Sequence, residues 1–220
     1  MKLVSQDNVL LFPINVYKFN IENFDQQRFA KFAIRVQDLC PSEIRSSTGW
    51  QSPSDVHNIE KYFKEKEDIE CISEILDTLT LGFSKIAEEY EFNKLNLDLE
   101  PEISGLWVNI NSHGSFNRMH NHSIAGFSGV FYIQKNEDQG NILFDDIRRE
   151  SKLWLIPSAM FKNDRWIQEK LHGPQEIEVK TGDVLMFPSW LDHMVDVNQT
   201  PSLRISISFN FNWYEKNDRY

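Results

Sequence analysis

Residues 183–211 read DVLMFPSWLDHMVDVNQTPSLRISISFNF, and the texture of this stretch decides the fold. A short apolar run, Val184 to Phe187, stops at Pro188. A second short run, HMVDV, follows, and then the turn residues NQTPS. The next segment, LRISISFNF, alternates Ile205, Ile207 and Phe209 with Arg204, Ser206 and Ser208. A period of two is that of a β-strand, whose successive side chains point to opposite faces.

The same texture extends back to residue 100. Strands are expected over 105–111, 118–122, 127–134, 141–145, 176–180, 183–188, 193–197 and 203–211, separated by turns such as NEDQG, KTGD and NQTPS. Short strands in this number suggest a barrel or a two-sheet jelly roll. The stretch 150–175, with Trp154, Pro157, Trp166 and Pro174, has no clear period and reads as an insertion, a candidate lid. Before residue 100 the period changes. Phe29, Phe32, Ala33, Val36 and Leu39 form one face of a helix over 24–39. Ile72, Ile75, Leu76, Leu79, Leu81, Phe83 and Ile86 do the same over 69–91. Residues 8–18 read as an edge strand interrupted by Pro13, and 43–58 as a polar loop in which Trp50 stands alone. The fold class is therefore mainly β with flanking helices (α+β). It is organised as one domain over 1–220, with a helical support region to residue 100 and a β core over 101–213.

Composition narrows the function. The 220 residues include 16 Phe, 6 Trp and 6 Tyr, enough aromatic bulk for a large core. A net charge of −10 argues against non-specific binding to nucleic acid or to anionic membrane, where Lys and Arg supply the affinity. No apolar run approaches the roughly 20 residues of a membrane span, and the N-terminus lacks the features of a cleaved signal. The two cysteines, Cys40 and Cys71, have neither zinc-site spacing nor a partner framework. These features fit a cytoplasmic protein with free thiols.

Three of the 6 histidines carry the chemistry. On an extended backbone His120 and His122 project to the same face and can chelate one ion, with His193 as the best candidate for a third ligand; two surface histidines on a strand are the competing explanation of the pair. Gly114 lies six positions before His120, Gly182 six before Pro188, and His193 five after it. This spacing resembles the two motifs of the cupins, small β-barrels with a metal at the mouth. The glutamate expected a few residues after the histidine pair is missing from SIAGFSG. Arg204 follows the turn NQTPS. If 193–197 and 203–211 pair as a hairpin, it lies about 7 Å along the strand from His193. A five-carbon dicarboxylate chelating the metal would then reach the guanidinium, which binds carboxylates as a planar fork. Ser206 shares the face of Arg204. A solvated face, or pairing of Arg204 with an internal carboxylate, is the competing explanation.

Taken together, HNHSIAGFSGVFYIQ, GNILFDD, GDVLMFPSWLDHMV and RISISFNF, with LFPINVY and GWQS upstream, resemble the 2-oxoglutarate/iron(II) oxygenases of bacteria and their phages. The resemblance runs from about residue 10 to residue 212. It implies a double-stranded β-helix core, iron(II) as cofactor, 2-oxoglutarate as co-substrate and dioxygen as reactant. The expected reaction is hydroxylation of a C–H bond with release of succinate and carbon dioxide. By the same resemblance His120 and His193 are iron ligands. Arg204 and Ser206 match the Arg-x-Ser that holds the far carboxylate of the co-substrate. In the wider superfamily the second ligand is an aspartate; here it is His122, with Asp145 or Asp146 as the other candidates for completing the site. Asp192 is expected to point to the opposite face from His193. Tyr132 and Asn117 are further candidates for co-substrate binding, beside Asn109 and Asn111. Arg148 and Arg149 are either a solvated basic pair or contacts to the primary substrate, which is a small molecule or a peptidyl side chain. His113 reads as a turn residue, and His57 and His172 as surface residues. A cupin-type metalloenzyme that does not use 2-oxoglutarate, and a non-catalytic jelly-roll binding module, are the alternative functions.

Overall fold

A computed structural model describes residues 14–43, 48–90, 99–122, 124–145 and 173–215. Among them are ten strands: β1 (Tyr17–Asn20), β2 (Trp50–Gln51), β3 (Leu99–Asn111), β4 (Asn117–His120), β5 (Phe127–Gln134), β6 (Ile142–Phe144), β7 (Gln175–Ile177), β8 (Asp183–Pro188), β9 (His193–Val195) and β10 (Arg204–Glu215). The helices are α1 (Gln26–Leu39), α2 (Ile59–Tyr62) and α3 (Lys66–Glu89). The strands form a large sheet in the order β1-β8-β5-β10-β3-β2 and a small one in the order β4-β9-β6-β7, with antiparallel pairing throughout. From β3 onward the chain passes repeatedly from the large sheet to the small one and back. That winding is the double-stranded β-helix.

The central strands β5 and β8 of the large sheet are buried on both faces, whereas the edge strand β1 exposes Lys18 and Asn20, and the two faces of the sheet differ. Leu106, Val108 and Ile110 of β3, Phe127, Phe131 and Ile133 of β5, Val184 and Met186 of β8, and Ile205, Ile207, Phe209 and Phe211 of β10 form one cluster with the helices. Helix α1 contributes Phe29, Phe32, Ala33 and Val36, and α3 contributes Ile72, Ile75, Leu79, Phe83 and Ile86. Phe83 stacks on Phe211 with centroids 4.3 Å apart. Each such side chain contributes about 1.5–3 kcal/mol by leaving water. The opposite face of β5 and β8 is apolar as well: Val130, Tyr132, Leu185 and Phe187 pack with Ile142, Phe144, Val179 and Leu191 between the sheets. Burial on both sides explains why 184–187 reads as an unbroken apolar run. The inward face of β3 and β10 is instead polar, and that difference places the site.

Local chemistry sets the helix ends. The Asp25 carboxylate caps α1 by accepting from the Arg28 N–H at 3.0 Å. At the other end Pro41 requires Cys40 to be extended, and Cys40 has φ −117° and ψ 142°.

Several expectations need correction. The edge strand expected over 8–18 lies at Tyr17–Asn20, and residues 8–13 fall outside the described residues. Trp50 does not stand in a loop: with Gln51 it forms β2 on the edge of the large sheet, paired to Ile110 and Asn109. Leu81 is 62% exposed, because it falls off the stripe Ile72, Ile75, Leu79, Phe83, Ile86. His57 is half-buried rather than a surface residue, and burial pushes its pKa down. The segments 193–197 and 203–211 do not pair as a hairpin. β9 belongs to the small sheet and β10 to the large one, so His193 and Arg204 face each other across the sandwich. Most of the 150–175 stretch, with Asp146, Arg148, Arg149 and His172, lies outside the described residues. No helix among the described residues is long and apolar enough to cross a membrane.

Candidate active site

The small sheet brings two of the histidines together. His120 closes β4, His193 opens β9, and the two are direct cross-strand partners. His122 lies beyond the end of β4, in a turn pinned by its N–H to the Ser189 carbonyl at 2.8 Å. Its proximity to His120 therefore comes from a turn, not from one strand pleat. The ring centroids stand 4.4 Å apart for His120 and His193, and 5.2 Å for each ring with His122. One nitrogen from each ring lies within 4.8 Å of the others.

Hydrogen bonds orient the rings. His120 Nδ1 meets the Arg118 carbonyl at 2.6 Å, and His193 Nδ1 meets the Leu191 carbonyl at 2.9 Å. His122 Nδ1 meets Asn210 Oδ1 at 2.7 Å. A carbonyl oxygen can only accept, so each Nδ1 carries the proton and each Nε2 keeps its lone pair for a metal. Burial lowers the pKa of all three histidines. His193 falls to about 3, with repulsion from His120 adding to the effect. All three are neutral at physiological pH, the form that ligates metal. Phe187 and Phe144 pack on His193 at 4.8 and 6.1 Å and wall off that side.

No carboxylate joins this cluster among the described residues. Asp145, just past β6, donates its N–H to the Asp192 carbonyl at 2.9 Å but does not contribute to the triad. The Asp192 carboxylate accepts from Asn121 at 2.7 Å and is also outside the cluster.

The three histidines open on a cavity of about 510 Å³ of empty space between the sheets, part of it continuous with solvent. Its far end is the polar face of β3 and β10. Register places Arg204 beside Asn111, Ser206 between Asn109 and Tyr132, and Ser208 beside Trp107. Arg204, Ser206, Tyr132 and Asn117 all line the cavity with the histidines. Asn117 lies in β4, where its Oδ1 is 3.5 Å from Asn111 Nδ2. Arg204 is 1% exposed. Its Nη1 donates to the carbonyls of Gln139 and, at 3.0 Å, Asp196, and its Nη2 has no partner. Burial lowers its pKa to about 10, which leaves it protonated at neutral pH. Gly140, at φ +74°, lets the β5–β6 turn reach the guanidinium: a Cβ there would lie 2.1 Å from Asp196 O and 2.9 Å from Arg204 Nη1. The Tyr132 hydroxyl is likewise buried without a partner, as is Asn109 Oδ1, and burial raises the Tyr132 pKa.

A buried cation without an anionic partner and a buried hydroxyl without an acceptor are both costly. Both costs are removed by an anion with carboxylate oxygens. The residues therefore fit iron(II) at one end of the cavity and a dicarboxylate reaching the other.

Some residues of the site escaped sequence analysis. Asn210 and Ser128 meet His122 Nδ1, and the Ser189 hydroxyl stands behind Ser128. Asn210 has the same strand parity as Arg204, Ser206 and Ser208, which was the available signal. Gln51 and Trp107 line an outer groove, which shares Trp107, His120 and His122 with the cavity.

Comparison with known proteins agrees with this geometry. Residues 105–210, which contain all three histidines and Arg204, match the family model described as "Putative 2OG-Fe(II) oxygenase". No curated protein matches the chain. Among solved structures, an oxidoreductase of the 2OG-Fe(II) oxygenase family from Burkholderia pseudomallei is similar at 12% identity and TM-score 0.56, covering 90% of this chain and 84% of that one. A prolyl-4-hydroxylase from Pseudomonas putida is similar at 13% identity and TM-score 0.55, covering 90% and 92%. HygX from Streptomyces hygroscopicus, solved with nickel, 2-oxoglutarate and hygromycin B bound, is similar at 10% identity and TM-score 0.51, covering 90% and 83%. At such identities the structural likeness speaks for the fold, and the match over residues 105–210 ties the β core that carries the three histidines and Arg204 to the 2OG-Fe(II) oxygenase family.

Proposed function

We propose that this chain, acting as a single catalytic domain in the cytoplasm, hydroxylates a C–H bond of a small-molecule or peptidyl substrate, with His120, His122 and His193 as its iron ligands. One observation carries the proposal: three neutral imidazoles and the unpartnered donors of Arg204 and Tyr132 open on the same cavity. The chemistry supplied by iron(II) and 2-oxoglutarate when bound is the conversion of a C–H bond and dioxygen to an alcohol, with 2-oxoglutarate leaving as succinate and carbon dioxide.

The chain's own residues bind, orient and exclude water. Arg204 holds the far carboxylate through a charge-assisted hydrogen bond from Nη2. The Tyr132 phenol, kept protonated by burial, donates a second, and Ser206 and Asn117 complete the polar wall. Three imidazoles bring no negative charge, so a divalent ion among them keeps its full attraction for a dianion. Val130, Phe187 and Ile142 form the apolar wall of the cavity. The substrate approaches through the outer groove, about 1320 Å³ of empty space open to solvent. Gln51, Arg118, Met119 and Ile124 line that groove, and the buried Gln51 Oε1 has no protein partner, which leaves it able to accept from a substrate donor. Two buried free thiols, Cys40 and Cys71, accord with a reducing compartment.

Anaerobic titration of the iron(II)-loaded protein with 2-oxoglutarate tests the proposal. A visible charge-transfer band is expected in the wild type, with far more 2-oxoglutarate needed in Arg204→Ala. Stoichiometric metal with no such band would remove 2-oxoglutarate from the site and leave a cupin-type metalloenzyme.

A further inference from the structure

The three histidines are not oriented in the same way. His120 and His193 each turn Nδ1 to the carbonyl of the residue two positions earlier, Arg118 and Leu191. Their orientation is a property of their own backbone. His122 has no such local carbonyl. Its Nδ1 is met by side chains instead: Asn210 Oδ1, 88 residues away, at 2.7 Å, and Ser128 Oγ, six residues on, at 3.0 Å. Ser128 Oγ lies 2.8 Å from Asn210 Oδ1 and 2.8 Å from Ser189 Oγ.

The proton count in this cluster is closed. Ser128 has one hydroxyl proton and donates it to Asn210 Oδ1, so the Ser189 hydroxyl donates to Ser128. With its oxygen toward the ring, Asn210 requires the His122 proton on Nδ1, and Nε2 is left as the ligand atom. With the amide turned over, Nδ2 would donate to Nδ1, the proton would move to Nε2, and His122 could not ligate through that atom. The orientation of one amide thus selects the tautomer of the one ligand whose backbone does not.

We propose that Asn210, backed by Ser128 and Ser189, is the positioning residue that makes His122 a metal ligand through Nε2. This rests on the three-histidine reading of the metal site. Loss of such an outer hydrogen bond typically weakens metal affinity ~10–100-fold. That loss is expected in Asn210→Leu, which keeps the approximate shape and removes the acceptor. Asn210→Asp keeps an acceptor oxygen and is expected to restore wild-type affinity.

The test uses cobalt(II) as a spectroscopic probe, titrated by its visible d–d bands, together with ¹⁵N NMR of the histidine rings in the metal-free protein. Supporting results are an Nδ1–H tautomer of His122 in the metal-free wild type, weaker cobalt binding in Asn210→Leu and recovery in Asn210→Asp. The tautomer measurement needs no variant, so it decides the question even if Asn210→Leu does not fold. An Nε2–H tautomer in the wild type, or wild-type cobalt affinity in Asn210→Leu, would overturn the role of Asn210 while leaving the metal site standing. Failure of the wild type to bind cobalt(II) or iron(II), or equal binding by His193→Ala, would instead remove the metal site, and this proposal with it.

Discussion

Replacing Tyr132 by Phe separates a ligand-binding tyrosine from a structural one by the sign of two effects. Tyr132 is 1% exposed, its ring packs between the sheets, and its hydroxyl has no hydrogen-bond partner. An unsatisfied buried polar group costs about 1–3 kcal/mol. Phe keeps the ring and removes that cost, so the ligand-free protein should become more stable by about 1–3 kcal/mol. For a chain of this size that raises the melting temperature by about 2–12 °C. Binding of 2-oxoglutarate should change in the opposite direction. A hydrogen bond to a charged group contributes about 1.5–3 kcal/mol, so the Kd should rise roughly 10- to 140-fold at tenfold per 1.4 kcal/mol. Urea unfolding of the apo protein and anaerobic titration of the iron(II) form read the two quantities. A less stable apo variant would mean that the hydroxyl has a partner within the protein. An unchanged Kd would mean that the phenol does not touch the co-substrate. Either result refutes the role given to Tyr132.

His193→Ala should abolish stoichiometric binding of cobalt(II). The wild type should gain about 2.7 kcal/mol of stability at a metal concentration a hundredfold above Kd, and the variant should gain none, as thermal melts with and without metal will record. Gly140→Ala forces a side chain into a left-handed backbone and against Asp196 O, with a strain cost of at least about 1–3 kcal/mol. It should also weaken 2-oxoglutarate binding by displacing Arg204, as urea melts and the same titration will measure. Burial alone would raise the Asp183 pKa, but Asn20, the Lys180 N–H and Lys18 outweigh it and hold the pKa below the ordinary 3.8. A folded-state pKa below the unfolded one contributes stability above pH ~4 that is lost as pH falls through the folded value. Asp183→Asn should therefore flatten the acid limb of the stability profile, measured by unfolding from pH 6 down to pH 2.

Much of the β core was legible in the chain. The strands 127–134 and 183–188 match β5 and β8 to the residue, because both are buried on two faces and bounded by turn residues or proline. The alternation of Arg204, Ser206 and Ser208 with Ile205, Ile207 and Phe209 correctly divided β10 into a polar inward face and an apolar outward one, since side-chain direction follows backbone period alone. The clustering of His120, His122 and His193 was likewise foreshadowed by residue type and spacing.

Pairing across long sequence separations was not legible. The sequence alone suggested a hairpin between 193–197 and 203–211, because the turn NQTPS between two strands is a local signal. Which sheet each strand joins depends on contacts with β4, β6, β3 and β5, and no local period encodes those. For the same reason Trp50 read as a loop residue: a strand of two residues has no period, and its existence depends on the edge of β3. The support of His122 by Asn210, 88 residues away, has the same origin. The amino-acid sequence by itself determined which side chains could ligate, bind anions or fill a core. Only the tertiary structure decided which of them meet, because burial and register are set by strands that are distant along the chain.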